Sequence, residues 1–153
     1  MAAMVEALAG ARQVVCHGVG REGLMMRALA MRLYHMGLAA HVAGEMSCPP
    51  VGAGDLLLVA AGPGDLPSVE ALARRARGDW ARIGCITAQP RGPVPQAADL
   101  LLVIPAQTMA DDRGGARSVL PMGSVFEGAM FLVFEVLVLL LRDRLGVSAE
   151  AMR

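Results

Sequence analysis

A glycine-rich turn between a predicted strand and a predicted helix constrains this chain more than any other feature. The β-branched run that begins near Val14 ends in a Gly-x-Gly-x-x-Gly pattern formed by Gly18, Gly20 and Gly23, and a helix-prone segment then continues to Gly37. Glycines in such a turn permit positive φ angles and close backbone approach, and the start of the helix offers unpaired N–H groups to an anion. The sequence therefore predicts a strand, a tight loop and a helix that bind a small anionic molecule.

Two other interpretations of the turn remain open at this point. It also fits an ordinary glycine-rich connection in an α/β protein, or the fingerprint of a dinucleotide-binding protein. The fingerprint requires an acidic residue about twenty residues further on, and Glu45 lies slightly too far along the chain. Within the loop, Arg21 is the natural contact for an anion because a guanidinium group forks onto phosphate or carboxylate.

Length and charge exclude several classes of protein. The chain has 153 residues, which suits one domain with a single core, and its formal net charge is zero. A neutral surface has no electrostatic attraction for nucleic acid or for an anionic membrane. We therefore expect no nucleic-acid partner and no membrane partner, and instead a small-molecule ligand.

The cysteines give no sign of a metal or cofactor. Cys16, Cys48 and Cys85 are odd in number, far apart and not at the spacing of metal ligands. They are typical of buried, reduced thiols in a cytoplasmic protein, for which we expect neither metal nor cofactor.

The chain is also unusually apolar. Its longest apolar run, residues 128–141, is interrupted by Glu135 and is shorter than the roughly 20 residues that span a bilayer. The first residues lack the basic start and apolar core of a signal peptide. With 55% hydrophobic residues, the domain is expected to hide part of its surface in a homo-oligomer.

The remaining pattern predicts a parallel sheet. Apolar runs at residues 55–61 and 99–104 are typical of strands buried on both faces. A further strand is predicted at residues 82–87, and a brief one at 38–45 carries His41 and Glu45 at its end. Alternation of strands with helices indicates a doubly wound sheet, in which ligands bind beyond the carboxyl ends of the strands.

A second glycine loop follows the strand at residues 55–61. It contains Gly62, Gly64 and Asp65, and a helix is predicted to begin after it at Pro67. Because both glycine loops follow strands of the same parallel sheet, we expect them to face one pocket.

A long apolar helix is predicted from Ser124 to Gly146, with two carboxylates on it. Glu127 lies in the first turn, where a negative charge is favoured by the helix dipole or serves as a general base facing the pocket. Glu135 lies among apolar residues, so it is expected to have a partner and a structural role. On the first long helix, His35 falls on a polar stripe that indicates a subunit contact or a ligand contact.

Four segments of the chain resemble one family. They are GVGREGLMMRALAMRLYHMGLAAHVAGE, PPVGAGDLLLVAAGPGD, ADLLLVIPAQT and PMGSVFE, and together they resemble the sugar isomerase (SIS) domain family, in particular its 6-phospho-3-hexuloisomerase branch. The resemblance implies a three-layer flavodoxin-like α/β fold with a five-stranded parallel sheet flanked by helices, assembled as a homotetramer. It also implies a single domain over residues 1–153, with a short N-terminal arm (1–12), an α/β core (13–146) and a C-terminal stub (147–153).

The same resemblance implies an activity. Members interconvert hex-3-ulose 6-phosphate and fructose 6-phosphate by a metal-free proton shuttle through an enediol. In this chain, Glu127 would be the base, with Glu45 and His41 near the sugar. The two glycine loops would hold the phosphate.

The chain departs from the family where phosphate should bind. Members usually have Ser in place of Glu22, and Ser-Gly-Ser-Gly-Glu-Thr where residues 61–66 read Ala-Gly-Pro-Gly-Asp-Leu. The hydroxyl donors are lost, Pro63 removes a backbone donor, and Glu22 adds a charge that repels a dianion. The alternative is therefore a catalytically degenerate SIS module that binds a sugar derivative or has a regulatory role.

Overall fold

The computed structural model describes residues 1–112, 118–120 and 122–152. The polar sequence between residue 104 and Ser124, which we interpret as a loop, includes residues 113–117, and these lie outside the described residues, as do residues 121 and 153. The helices are α1 (Ala2–Gly10), α2 (Gly20–His35), α3 (Pro67–Gly78), α4 (Pro93–Gln96) and α5 (Ser124–Leu145). The strands are β1 (Val14–His17), β2 (Ala40–Val42), β3 (Leu56–Ala60), β4 (Arg82–Thr87) and β5 (Leu100–Val103).

The five strands form one parallel sheet in the order β2-β1-β3-β4-β5. This is the predicted flavodoxin-like arrangement, and the fold class is confirmed. All five strands run in the same direction, so their carboxyl ends lie along one edge. The loops that follow β1 and β3 are neighbours there because β1 pairs directly with β3.

The central strands are buried on both faces, which explains their continuous apolar sequence. In β3, Leu56, Leu58 and Ala60 belong to the core beneath α1, α2 and α5. Leu57 and Val59 belong to a second core beneath α3. Side chains of a strand alternate between faces, so a strand covered on both sides needs apolar residues at every position.

The N-terminal residues contribute to the core. Residues 1–12, assigned from sequence to a short arm, contain α1, whose Met4, Val5, Ala7 and Leu8 are buried.

All three cysteines are free thiols. Cys16 and Cys85 are buried, as predicted, whereas Cys48 lies in a loop and is only partly buried.

Helix α5 begins at Ser124, as predicted, and extends beyond the apolar run of residues 128–141 at both ends. It covers 22 residues with a mean hydropathy of 2.2, which by length and composition alone would suffice to cross a membrane. A helix in the core of a soluble protein passes the same test. Here Phe126, Met130, Phe134, Leu137, Val138 and Leu141 pack into the core on one side of the helix.

A buried carboxylate accepts several hydrogen bonds at the amino end of the sheet. Asp55, immediately before β3, accepts two hydrogen bonds from Arg12 at 2.9 and 2.8 Å. It accepts two more at 2.8 Å, from the side chain of Gln13 and the backbone N–H of Gly52. Burial acts to raise the pKa of Asp55, but these donors together outweigh it and hold the pKa below its usual value.

Replacing this carboxylate is expected to destabilise the fold. Asp55→Asn removes a buried charge and leaves the Arg12 guanidinium without its partner, so we expect a loss of about 2–4 kcal/mol in unfolding free energy at pH 7, measured by urea denaturation. A depressed pKa contributes stability that disappears as the pH falls through the native pKa, so the difference should shrink in acid. The control is Asp79→Asn, in an exposed pair with Arg75, for which we expect less than about 0.5 kcal/mol. Equal losses in the two variants would contradict this role of Asp55.

Candidate active site

The two glycine loops meet at the carboxyl edge of the sheet. Gly18 and Gly23 lie so close that a Cβ on Gly23 would be 2.6 Å from the carbonyl oxygen of Gly18. Gly20, with a φ of 57°, is the first residue of α2. The turn therefore brings the first turn of α2 directly over the end of β1, as the glycine pattern predicts.

The second loop contacts both long helices. The backbone N–H of Gly62 donates to Oε2 of Glu22 at 3.0 Å. A Cβ on Gly62 would lie 2.6 Å from the ring of Phe126 and 2.7 Å from Oε1 of Glu22. The β3–α3 loop, the first turn of α2 and the first turn of α5 thus converge on one point.

Glu22 lies inside this junction. It is a buried carboxylate, only 7% exposed. Burial raises the pKa of Glu22 to about 7, the hydrogen bond from Gly62 opposes this change, and the negative charge of Glu127 adds to it. The family resemblance puts Glu22 at a position where members carry a phosphate-binding Ser, but Glu22 was not among the selected site residues. Its burial and its contact with Gly62 could be inferred only once the start of α2 at Gly20 was known.

Glu127 and Arg21 form the open part of the site. Nη2 of Arg21 lies 3.3 Å from Oε1 of Glu127. Arg21 also donates to the hydroxyl of Ser124 at 2.8 Å and to the carbonyl oxygen of Met122. Within the described part of the chain, Oε2 of Glu127 is buried and has no hydrogen-bond partner. Both residues line a cavity of about 530 Å³ whose other walls are mostly apolar.

The rest of the second loop lies next to α4. Gly64, with a φ of 79°, packs so tightly that a Cβ there would be 2.7 Å from the carbonyl oxygen of Gln89. Asp65 is exposed. At the end of β4, the buried hydroxyl of Thr87 accepts from the N–H of Gln89 at 2.9 Å and lies 3.4 Å from the carbonyl oxygen of Gly62. Thr87 was not selected from the sequence, although a polar residue that ends an apolar strand was a usable signal.

Three predicted residues lie elsewhere. Glu45 pairs with Arg27 at 2.7 Å and lines a separate cavity of about 330 Å³ beside Cys48. His41 is in the middle of β2, opposite Val15, and is partly exposed. His35 is exposed, with its ring 6.3 Å from that of Tyr34. Within one chain the structure therefore gathers Gly18, Gly20, Arg21, Gly23, Gly62 and Glu127, and leaves His35, His41 and Glu45 outside that group.

A further histidine was missed. His17 ends β1 immediately before the first glycine loop, and burial lowers its pKa. In residues 1–112, 118–120 and 122–152, no cluster of three or more His, Cys, Asp or Glu side chains could hold a metal ion.

The burial of Glu22 predicts a pH-dependent stability. A pKa of about 7 against 4.5 for an unburied carboxyl means that the folded protein holds more protons between these values, so its unfolding free energy falls as the pH rises from 4.5 to 7. Glu22→Gln cannot ionise. Relative to wild type, we expect the variant to gain up to about 3 kcal/mol across this interval, measured by urea denaturation at several pH values.

The control for this experiment is Glu70→Gln on α3, where Glu70 pairs with Arg74 at 2.6 Å on the helix surface. We expect its stability curve to run parallel to that of wild type. A parallel curve for Glu22→Gln as well would mean that Glu22 is not held in a raised-pKa environment.

Comparison with known proteins identifies the family, although no family model matches the chain. The chain is 32% identical to the 3-hexulose-6-phosphate isomerase of Bacillus subtilis over 149 residues, covering 97% of this chain and 80% of that protein. It is 42% identical to the 3-hexulose-6-phosphate isomerase of Mycobacterium gastri over 138 residues, covering 90% of this chain and 69% of that protein.

A solved structure agrees with these relatives. It is that of a hypothetical protein from Methanococcus jannaschii, whose structure infers a molecular function of 3-hexulose-6-phosphate isomerase. It superposes with a TM-score of 0.84 at 26% identity and covers 99% of this chain and 80% of that one. With a superposing fold and identity above 30% over most of two relatives, this chain belongs to the 3-hexulose-6-phosphate isomerase family of SIS-fold proteins.

Proposed function

We propose that this protein is a sugar-phosphate isomerase that interconverts a hex-3-ulose 6-phosphate and fructose 6-phosphate. The observation that carries the proposal, beyond family membership, is the partly buried carboxylate of Glu127. It lines a cavity together with Arg21 of the first glycine loop, and the neighbouring Phe126 packs against Gly62 of the second loop. A carboxylate at the wall of a cavity can take a proton from a bound substrate.

In this mechanism Glu127 is the base. It removes the proton from C2 of the 3-ulose, and the C2–C3 unit becomes an enediolate with its negative charge on the C3 oxygen. A second proton passes from the C2 hydroxyl to the C3 oxygen, and Glu127 returns the first proton to C3 as the carbonyl forms at C2. No atom is gained or lost overall. The guanidinium of Arg21, 3.3 Å from Glu127, is positioned to stabilise the negative oxygen of the enediolate. The backbone of the glycine loops, with Asp65 at their rim, would hold the phosphate end.

Glu45 and His41 stay proposed sugar contacts. They belong to the β2 side of the sheet, where Glu45 lines the cavity beside Cys48. That location favours contact with the far end of a ligand or with a ligand held by a neighbouring subunit, rather than a role in the proton transfer at Glu127.

Removing the base gives a direct test. Glu127→Gln keeps the shape of the side chain but cannot accept the proton, so we expect kcat for hex-3-ulose 6-phosphate to fall by about 10²- to 10⁴-fold. The measurement is formation of fructose 6-phosphate in a coupled assay. Glu45→Gln is expected to act mainly on KM, and Glu70→Gln to leave both constants unchanged. Full activity of Glu127→Gln would remove Glu127 from the mechanism.

We further propose that the protein works as a cytoplasmic homo-oligomer, a dimer or a tetramer. Helix α5 leaves a continuous apolar stripe uncovered, formed by Leu132, Val136, Leu139 and Leu140, which are between 42% and 67% exposed. On α2, Leu24, Met31 and Tyr34 are also exposed. Apolar areas of this kind on two adjacent helices are typical of subunit interfaces, and the 3.0 Å pair of Arg32 with Glu135 joins the two helices between them.

A charge in the stripe should disrupt assembly. We expect Leu139→Glu to shift the protein to a smaller species in size-exclusion chromatography with light scattering, because an unpaired carboxylate cannot be buried in an apolar interface. The matched control is Met46→Glu in the loop after β2, where Met46 is fully exposed. An unchanged mass for Leu139→Glu would place the interface elsewhere.

The alternative function is a module that binds a sugar derivative without turnover. It is favoured by one observation, that the carboxylate of Glu22 already accepts the Gly62 N–H that a phosphate would use. Binding of fructose 6-phosphate without isomerisation of the 3-ulose by the wild-type protein would support this alternative.

A further inference from the structure

The anion-binding position of the second glycine loop is already occupied by a side chain. Oε2 of Glu22 accepts the N–H of Gly62 at 3.0 Å, and Oε1 fills the space in front of the Gly62 Cα. The ring of Phe126 closes the other side of that space. A phosphate oxygen can reach this N–H only after the carboxylate has moved away or lost its charge.

The groups around Glu22 do not neutralise it. From α5, Glu127 contributes a second negative charge. From β4, the thiol of Cys85 is held neutral, because burial and the charge of Glu22 raise its pKa to about 12. Arg21, the adjacent residue on α2, is engaged with Glu127, Ser124 and Met122. Across residues 1–112, 118–120 and 122–152, no cation forms an ion pair with Glu22.

We propose that Glu22 determines the specificity of the phosphate cradle, and that a phosphosugar binds together with one proton taken up from solvent by Glu22. This inference rests on the proposed isomerase function. A carboxylate and a phosphate dianion in contact with each other repel, whereas a protonated carboxyl donates an O–H to a phosphate oxygen. That O–H replaces the donors that Ala61, Pro63 and Leu66 cannot provide.

The neutral form of Glu22 is accessible at physiological pH. Burial, more than any other factor, raises its pKa to about 7, so a modest change in pH changes its protonation. Above this pH Glu22 must take up one proton from solvent for each phosphosugar that binds. The affinity therefore falls as the proton concentration falls. For one proton and a pKa near 7, the dissociation constant should rise about fiftyfold between pH 7 and pH 9. The second ionisation of a phosphate monoester has its midpoint at about pH 6, so it is nearly complete at pH 7 and adds little slope above it.

Isothermal titration calorimetry tests the coupling. Fructose 6-phosphate serves as the probe at pH 6.5, 7, 8 and 9. At pH 8, two buffers of different ionisation enthalpy report the number of protons taken up. We expect wild type to take up nearly one proton and to show the fiftyfold weakening. Glu22→Gln and Glu22→Ser should take up none and show a flat profile, while Glu70→Gln should behave as wild type.

Either of two results in the binding profiles would overturn the inference, as would a third, the absence of binding. One is wild-type binding without proton uptake and without pH dependence, and the other is a full pH slope in Glu22→Gln. Absence of wild-type binding at pH 6.5 would also overturn it, because Glu22 would then only block the cradle. Circular dichroism of both Glu22 variants confirms that they are folded.

The results that would contradict the proposed function differ from those that would contradict the inference about Glu22. If wild type binds fructose 6-phosphate with proton uptake but does not isomerise the 3-ulose at pH 6.5, the isomerase proposal falls and Glu22 remains a proton-linked specificity residue. If wild type isomerises the 3-ulose with no proton uptake on binding, only the inference about Glu22 falls.

Discussion

The contact between Gly18 and Gly23 is the constraint on which the site depends. A Cβ on Gly23 would lie 2.6 Å from the carbonyl oxygen of Gly18, so no other residue fits at that position without moving the backbone. This approach brings the start of α2 onto the end of β1, and it directs Glu22 towards the interior and Arg21 towards α5. With a wider turn, the Gly62 N–H and the Glu22 carboxylate would not meet.

The site also needs the parallel sheet order, for a topological reason. Because β1 pairs with β3, the loops that follow them share one edge, and α5 crosses beside that edge with its first turn. Phe126 and Glu127 are consecutive in that turn, so they point in different directions. Phe126 is buried against Gly62, whereas Glu127 faces the open cavity. The rigid ring thus holds the first turn of α5 in the position from which the proposed base would act, as a site on a helix requires.

Much of the fold was predictable because its signals are local. Strand β4 matches its prediction, Pro67 begins α3, and Gly146 ends α5 in the left-handed conformation that glycine favours. The parallel sheet was predicted from continuous apolar runs, in which polar and apolar residues do not alternate. Strand β2 is shorter than expected, with only Ala40–Val42 paired, because an edge strand has one neighbour and its length depends on that pairing rather than on its own sequence.

The site was less predictable because it depends on distances between segments far apart in the chain. The glycine loops and Glu127 could be selected from local pattern. The family resemblance drew attention to Glu22, but its burial and its contact with Gly62 could not be predicted, since they require α2 to begin at Gly20, four residues before the helix-prone segment. Nor does the sequence reveal that Glu45 pairs with Arg27, or that His41 lies within β2 and not at its end.

Helix α5 joins the chemistry of the site to the assembly of the protein. Its first turn supplies Glu127, its inner face fills the core from Phe126 to Leu141, and its outer face presents the uncovered apolar stripe. The cavity of Glu127 is itself bounded by Phe131 and Leu132, and Leu132 begins that stripe. A second subunit packed on the stripe would therefore cover one wall of the cavity and exclude water from it. Exclusion of water strengthens the interaction between Arg21 and the negative oxygen of an enediolate, so assembly and catalysis are expected to depend on the same helix face.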